Sequence, residues 1–379
     1  MNGTLLNRET RELTPVVRGA FVLGLIYLFL VGVSLLETGI GDMGADVQES
    51  LFSSVSNPLA GLFVGVLGTV LVQSSSASTS VIVGLVASGA LSVEAAVPMI
   101  MGANIGTTVT NTLVALGSVR RSAEFRRAFA AATVHDFFNI ITVAILLPVE
   151  LVTGILSSAA ESISSLLVGS AGTEWKSPIK GAVKAPVDWI EDAWSSLGAG
   201  GNALGVFLVV TGLVIILGAL VLITRNMRRL IAARVETVLN NVLGRGGGLV
   251  AMAVGLLVTI AVQSSSITTS IMIPLAAAGV VTLQNIYPVT LGANVGTTIT
   301  ALLAALASSR PEALTVAIVH TLFNVAGILI LYPPPGIREL PMRLAEGLAE
   351  IAVRRQAWAF GYTFLMFIII PLAGIALLR

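Results

Sequence analysis

Two apolar segments of the chain, residues 58–89 and 247–280, are each interrupted at the centre by nearly the same polar patch. The first patch reads VQSSSASTS and the second reads VQSSSITTS. A GAN motif follows each patch after the same spacing, GANIGTTVT at 102–110 and GANVGTTIT at 292–300, and a third pair follows these, VHDFFN and VHTLFN. Three motifs repeated in one order indicate that the chain consists of two related halves of one fold.

The composition indicates that these halves lie in a membrane. Charged residues make up 11% of the 379 residues and apolar residues 55%, whereas soluble domains are about 25% charged. Seven further runs are long enough to cross a bilayer, near 18–36, 93–116, 126–148, 202–224, 283–307, 313–332 and 356–378. The first run resembles a signal peptide, but it is as long as a membrane span and no small-residue cleavage site follows it, so we expect it to be retained. The net charge of +1 gives no reason to expect a nucleic-acid partner, and a chain without cysteine has no disulfides or thiolate sites.

The polar patches predict hairpins rather than complete spans. Unpaired backbone groups are costly in hydrocarbon, so a polar break at membrane depth is tolerated only inside protein or beside a cavity. Arginine clusters favour the cytoplasm, and those at 120–127, 225–234 and 338–355 all fall there only if neither QSSS segment crosses completely. We therefore predict an all-α integral membrane protein with two inverted-topology repeats, each with a re-entrant helical hairpin (QSSS) and a broken GAN helix. The N-terminus is predicted to be cytoplasmic and the C-terminus to lie outside.

This interpretation divides the chain into five parts. Residues 1–57 form an N-terminal segment with the first transmembrane helix, and residues 58–150 form repeat 1. A linker at 151–246 contains an interfacial segment and one transmembrane helix. Residues 247–333 form repeat 2, and residues 334–379 form a cytoplasmic loop and the last transmembrane helix.

The two QSSS patches are predicted to form an anion site. Inverted repeats with broken helices place their binding site near the midplane, where the repeats meet. The patches would bring six hydroxyl groups there, together with the backbone N–H groups that open the second half of each hairpin, and such helix N-termini attract anions. The serines concerned are Ser74, Ser75, Ser76, Ser264, Ser265 and Ser266. A single Ser-Ser-Ser run more often serves close helix packing, but two copies at matched spacing favour a binding function.

Neutral side-chain oxygens beside these serines are suited to a cation. They belong to Gln73, Gln263, Asn104, Asn294, Thr107, Thr108, Thr297 and Thr298, and neutral oxygens at unwound helices hold sodium in such transporters. Asp136 is the one acid inside the 126–148 span, which favours a cation ligand or proton carrier; the alternative is a pair with an arginine of 120–127. His135 and His320 are interpreted as helix-packing residues, with a proton relay as the alternative, and Asn139 and Asn324 lie one turn further on.

At this point the residues resemble a known family. The paired QSSS motifs, GANIGTTVTNT at 102–112 and EFRRAFAAATVHDFFN at 124–139 closely resemble the type II sodium-dependent phosphate cotransporters, over residues 16–378, and the short linker resembles a bacterial-type member. The resemblance implies a secondary active symporter, not an enzyme, that imports inorganic phosphate together with sodium ions by alternating access. It also implies a multi-pass protein of the cell (inner) membrane, surrounded by lipid, and is compatible with a homodimer of independently functional protomers.

The resemblance also implies ligands. We assign to phosphate the six serines together with Gln73, Gln263, Asn104 and Asn294. One sodium site is implied at Gln263, Ser264, Thr297 and Thr300, with Thr107 from the other half, and Asp136 is associated with an additional sodium and with electrogenic transport. A further family sodium site keeps Thr112 and Asn139, but Ser118, Arg121 and Ala293 replace its other ligands, so we expect that site to be absent or altered because Arg121 would repel a cation.

Alternative functions remain open from the residues alone. The same architecture would suit another small oxyanion, or a proton-coupled phosphate carrier that uses His135 and Asp136. A passive anion channel is a further alternative. An intramembrane serine hydrolase would need a base within hydrogen-bond reach of a QSSS serine, and the two histidines lie on other helices.

Overall fold

The computed structural model describes residues 15–55, 57–168, 177–245 and 247–378, and within these ranges every regular element is helical. The elements are α1 (Pro15–Asp42), α2 (Ala45–Ser54), α3 (Pro58–Val72), α4 (Ser75–Ala87), α5 (Val93–Gly106), α6 (Val109–Leu116), α7 (Ser122–Thr153), α8 (Ile155–Val168), α9 (Pro178–Ser196) and α10 (Asn202–Arg245), followed by α11 (Gly248–Val262), α12 (Ser265–Ser270), α13 (Met272–Ala277), α14 (Leu283–Leu306), α15 (Pro311–Leu331), α16 (Pro335–Arg338), α17 (Leu340–Arg354), α18 (Ala357–Phe364), a π-helical turn (Leu365–Ile369) and α19 (Ile370–Leu378).

The seven predicted spans are confirmed as helices. In the described part of the chain, seven helical segments are long and apolar enough to cross a membrane, namely Val16–Asp42, Val93–Leu116, Ser122–Thr153, Asn202–Arg228, Leu283–Leu306, Pro311–Leu331 and Ala357–Leu378. Helix α10 continues beyond the predicted residue 224 as far as Arg245, because its polar extension contains no proline that would stop a helix. The molecule is therefore an all-α multi-pass membrane protein.

The prediction of a broken GAN helix in each half is wrong for the second half. The first GAN segment is interrupted at Thr107 and Thr108, whereas the second forms one continuous helix, α14. In the first segment, the Asn139 amide donates to the Asn104 carbonyl at 2.8 Å. The Thr108 N–H would bond that carbonyl in a regular α-helix, but here it bonds the Ile105 carbonyl. A side chain that inserts into the helical hydrogen-bond ladder interrupts it.

The chain reverses direction at both QSSS patches. Gly61, near the start of α3, lies beside Ala95 near the start of α5, and Thr69, near the end of α3, lies beside Gly106 at the end of α5. Helices α3 and α5 are therefore parallel, and α4, which joins them, must run back between them. Helices α11 and α14 are parallel by the same test, and α12 and α13 return between them.

The two GAN helices run in opposite directions. Gly89, just before α5, lies against the Arg310 side chain, which follows the end of α14. Gly279, just before α14, lies against Arg127, which is near the start of α7. Arg127 also donates to the carbonyls of Ala276 and Ala277 at the end of α13. The start of each GAN helix is thus at the same level as the end of the other.

Helices α1 and α10 form a closely packed antiparallel pair beside the two halves. Gly32 faces Gly212 and Gly39 faces Gly205, with backbone atoms so near that a Cβ on Gly39 would lie 2.7 Å from a carbonyl oxygen. The largest buried apolar cluster lies where the halves meet and contains side chains from both, such as Val83 and Phe323. This packing fixes α10 beside the two helix breaks.

Candidate binding site at the two helix breaks

The two breaks have almost identical backbone geometry. Gln73 and Gln263 lie in the left-handed region, with φ of 56° and 57°, a conformation that residues with a Cβ seldom adopt. Ser74 and Ser264 are extended and begin the next helix, and each Oγ accepts the backbone N–H three residues later, at 3.2 and 3.4 Å. The following N–H groups of the first helical turn have no partner within the helix.

Each glutamine is held by the GAN helix of its own half. The Gln73 Nε2 donates to the carbonyl three residues earlier at 2.6 Å, and its Oε1 accepts the Thr110 hydroxyl at 3.2 Å. Gln263 makes the same two bonds, at 2.7 Å and, from Thr300, at 2.9 Å. Thr110 and Thr300 occupy the same position of the repeated motif, so the two halves build this contact identically.

The halves also contact one another at the breaks. The Thr300 hydroxyl lies 3.3 Å from the Ser76 hydroxyl of the first half. Asn111 of α6 and Thr269 of α12 are hydrogen bonded through both the amide nitrogen, at 2.9 Å, and the amide oxygen, at 3.0 Å. The second helix of each hairpin therefore packs against the GAN segment of the other half.

A cavity of about 340 Å³ lies between the breaks. Its lining includes residues 73–77 and 263–267, so that it contains all six serines and both glutamines of the predicted phosphate site. The remaining wall is formed by Val72 and by one face of α10. This face includes Arg225 and Arg228. The structure thus brings the two QSSS patches together around one space.

Asn104 and Asn294 do not line this cavity, and their assignment to phosphate stays a prediction. Both are buried in a network that crosses the halves: the Asn294 amide lies 2.5 Å from a ring nitrogen of His135 and donates to Asn139 at 2.8 Å. Asn324 donates to the Asn104 side chain at 3.2 Å. The rotation of the GAN helices directs these asparagines towards α7 and α15, where they join helices instead of facing the cavity.

Comparison with known proteins identifies the family. The family model described as Na+/Pi-cotransporter matches residues 28–173 and 215–334. The chain belongs to this family. It is 35% identical to sodium-dependent phosphate transport protein 2A of Rattus norvegicus over 94% of this chain and 67% of the relative, and 35% identical to protein 2B of Homo sapiens over 93% and 64%. The chain thus spans about two thirds of the length of these relatives, and no solved structure matches it. The resemblance seen in the sequence is confirmed, and the family is one of transporters, not enzymes.

Asp136, which the family resemblance associates with an additional sodium, lies away from the cavity. It is fully buried on α7, and its Oδ2 accepts the Tyr362 hydroxyl at 2.9 Å. The Thr108 hydroxyl lies near the same carboxylate. Within the described residues Asp136 pairs with no arginine, so the alternative of an ion pair with residues 120–127 is wrong. At the matched position, Thr321 bonds only a carbonyl of its own helix.

The residues of the implied sodium site are only partly in contact. Gln263, Ser264 and Thr300 lie together at the second break. Thr297 lies one turn before Thr300 on α14, and Thr107 occupies the matched position in the first half; both are buried, and each donates to the carbonyl four residues earlier, at 3.0 and 2.9 Å. Within the part of the chain that the structure describes, no three acidic or histidine side chains form a metal-binding group, so any sodium here would rely on neutral oxygens.

Arg121 lies far from Asn139. Its side chain is 74% exposed and pairs with Glu124 at 2.9 Å. It precedes α7 by one residue, and Asn139 lies roughly 27 Å further along the helix axis at 1.5 Å per residue. Thr112 bonds the Thr108 carbonyl at 3.3 Å. The expectation that the further sodium site is absent or altered stays a prediction.

Several contacts were not anticipated from the sequence. Thr110 could have been found, because it occupies the same motif position as Thr300. The bond between Asn111 and Thr269 could not, since Ala301 stands at the position that matches Asn111. The Tyr362 contact depends on how α18 packs against α7, and no sequence pattern indicates it.

Proposed function

We propose that this protein is a sodium-coupled symporter that imports inorganic phosphate, and that phosphate binds in the cavity between the helix breaks. The observation that carries the proposal is that both QSSS patches, with all six serines, line this one cavity. Curated relatives of the chain bear the name sodium-dependent phosphate transport protein, which agrees with the proposed cargo.

The chemistry of the cavity suits a tetrahedral oxyanion. Phosphate offers only acceptor oxygens and one or two hydroxyl groups, and the serines and first-turn N–H groups are donors. Two helix N-termini add partial positive charge, and no carboxylate is among the described residues that line the cavity. Because these donors are neutral, the anion is held without an ion pair in the site and can be released, as a carrier requires.

Sodium is the proposed second cargo. We assign it to the oxygens of Gln263, Ser264, Thr297 and Thr300, with Thr107 from the other half, and an additional ion to the surroundings of Asp136, while Thr112 and Asn139 remain candidate ligands of a further site. A cation bound next to the serines would attract phosphate, and by linkage phosphate would raise the affinity for sodium by the same factor. This mutual attraction is the proposed basis of coupling.

We further propose that the two halves are inverted repeats and that both hairpins are re-entrant. The antiparallel GAN helices and the chain reversal at each break support this arrangement, which would allow alternating access between the two faces. The N-terminus would be cytoplasmic and the C-terminus outside, in the cell (inner) membrane. The five-part division of the chain, the lipid contacts and a homodimer remain predictions.

Uptake of radiolabelled phosphate into proteoliposomes tests the function. We expect concentrative uptake driven by an inward sodium gradient and little uptake with potassium in its place. Uptake that is driven instead by a proton gradient, or that prefers sulfate, would select an alternative carrier. Non-saturable flux down a gradient would indicate a channel, and either result would refute the proposal.

Single-cysteine labelling tests the orientation, because the chain has no cysteine of its own. Glu94 at the start of α5 and Glu350 on α17 are both exposed. A membrane-impermeant thiol reagent added to whole cells should label Glu94→Cys and leave Glu350→Cys unlabelled until the membrane is opened. Labelling of both variants in intact cells, or of Glu350→Cys alone, would contradict the proposed topology.

A further inference from the structure

The cavity extends from the serines along one face of α10. Its wall there consists of Leu217, Leu220, Val221, Thr224, Arg225 and Arg228. These positions recur at helical spacing and cover about 16 Å of the helix axis. The serines and the two arginines therefore line the same cavity.

Among the described residues of the cavity wall, Arg225 and Arg228 are the charged ones. Both are exposed, and neither forms a salt bridge with an acid of the described residues. By contrast, Arg126 and Arg343 are paired with Glu350 and Glu339. Two guanidinium groups that have no acidic partner among the described residues, on a cavity whose described lining contains no acid, produce a positive field in the cavity.

Leu217, Leu220 and Val221 form an apolar part of the same wall. An anion that moves along this part has fewer hydrogen-bonding partners than it has at the serines or in water, which is costly. A cation on the same wall lowers that cost, because its field is weakly screened inside a protein cavity.

We propose that Arg225 and Arg228 form a second, weaker phosphate station, which receives the anion as it passes between the serine site and the cytoplasm. This inference rests on the proposed function. It assigns the two arginines a role in the approach and release of phosphate at one face, and it leaves the binding of phosphate from the other face to the serines.

The test compares the two faces of the membrane. Phosphate uptake is measured in whole cells, where the outer face is sampled, and in inside-out vesicles, where the cytoplasmic face is sampled. In the double variant Arg225→Gln, Arg228→Gln, we expect the half-saturating phosphate concentration to rise about 5- to 10-fold at the cytoplasmic face at low ionic strength. At the outer face we expect no change beyond about 1.5-fold, since steering by a charge acts on the side where it lies.

Salt and charge retention provide the controls. The difference in cytoplasmic half-saturating phosphate between the wild type and the double variant should be large at about 10 mM ionic strength, where the Debye length is ~30 Å. It should be nearly absent at about 1 M, where the Debye length is ~3 Å. The double variant with lysine at both positions should behave like the wild type. Arg343→Gln removes an exposed arginine that does not line the cavity and should change neither face.

Lipid phosphate could occupy the same arginines, so the vesicle lipid is varied. In proteoliposomes made only of neutral phosphatidylcholine, the difference between wild type and double variant should persist. If it appears only with anionic lipid, the arginines bind lipid headgroups and the inference is wrong.

Two further results would overturn the inference: an unchanged cytoplasmic half-saturation, or an equal weakening at both faces, which would indicate a general disturbance of the fold. Absence of sodium-dependent uptake in the wild type would instead refute the proposed function, so the two failures are distinguishable.

Discussion

Replacement of Thr300 by valine tests the link between the two halves at the proposed sodium site. The side chain is 1% exposed, its hydroxyl donates to Gln263 at 2.9 Å, and it lies 3.3 Å from the Ser76 hydroxyl. Valine keeps the shape of threonine, so Thr300→Val removes the hydroxyl without opening a cavity. Thr110→Val is the matched control, because Thr110 makes the equivalent bond to Gln73 and has no hydrogen-bond partner from the other half among the described residues.

The burial of each position sets the expected magnitude. A buried acceptor left without its partner costs about 1–3 kcal/mol, which corresponds to about 5- to 150-fold in an equilibrium constant. Thr300 is also a proposed ligand, so we expect the sodium concentration for half-maximal uptake to rise about tenfold or more. Thr110 is half-exposed and water can replace its bond, so we expect about a twofold change at most.

The measurement is the initial rate of phosphate uptake into proteoliposomes as a function of sodium, at saturating phosphate. Thermal unfolding of both variants in detergent shows whether they are equally well folded. The reasoning is refuted if both variants shift the sodium dependence equally, or if Thr300→Val leaves it unchanged in a folded protein.

Three further substitutions address other parts of the structure. Ser265→Ala removes a proposed donor to phosphate. Because hydrogen bonds to charged groups contribute about 1.5–3 kcal/mol, the half-saturating phosphate concentration in uptake assays should rise at least tenfold. A rise below twofold would argue against contact between Ser265 and phosphate. Asp136→Gly should leave transport but change the charge moved per phosphate in electrical recordings; unchanged currents would contradict a role in sodium binding. Gly292→Ala places a Cβ 1.8 Å from the Met252 carbonyl oxygen, so the helices must separate at a cost of about 1–3 kcal/mol and the melting temperature should fall. Gly68→Ala, which meets no atom within 4 Å, should not lower it, and equal melting temperatures would refute the packing argument.

The sequence was informative where the physics is local or where a motif is repeated. Long apolar runs predict membrane spans because a bilayer of fixed thickness needs about 20 apolar residues. A polar patch inside such a run predicts a break for the reason that unpaired backbone groups are costly there. The repeated motifs predicted that the two QSSS patches would meet where the halves join. In the structure, residues 73–77 and 263–267 line one cavity.

The sequence was less informative about the rotation and the neighbours of helices. Asn104 and Asn294 carry suitable oxygens, but the direction in which a helix presents a side chain depends on its packing, and both face other helices. The predicted break is present in the first GAN segment, but local sequence could not show that the second segment, which has nearly the same residues, remains continuous. The difference comes from Asn139, which reaches the first GAN helix from α7.

Gln73 and Gln263 combine an unfavourable backbone with a useful side chain. A residue with a Cβ in the left-handed region costs roughly 1–2 kcal/mol relative to a right-handed one, and glycine at either position would relieve that cost. Glycine would also delete the carbonyl oxygen that Thr110 or Thr300 now contacts. A selection of variants for heat resistance alone would therefore favour glycine at these two positions and remove the glutamines from the proposed phosphate site, in line with the trade-off between stability and activity at strained sites. Engineering of this protein for structural work should keep both glutamines fixed.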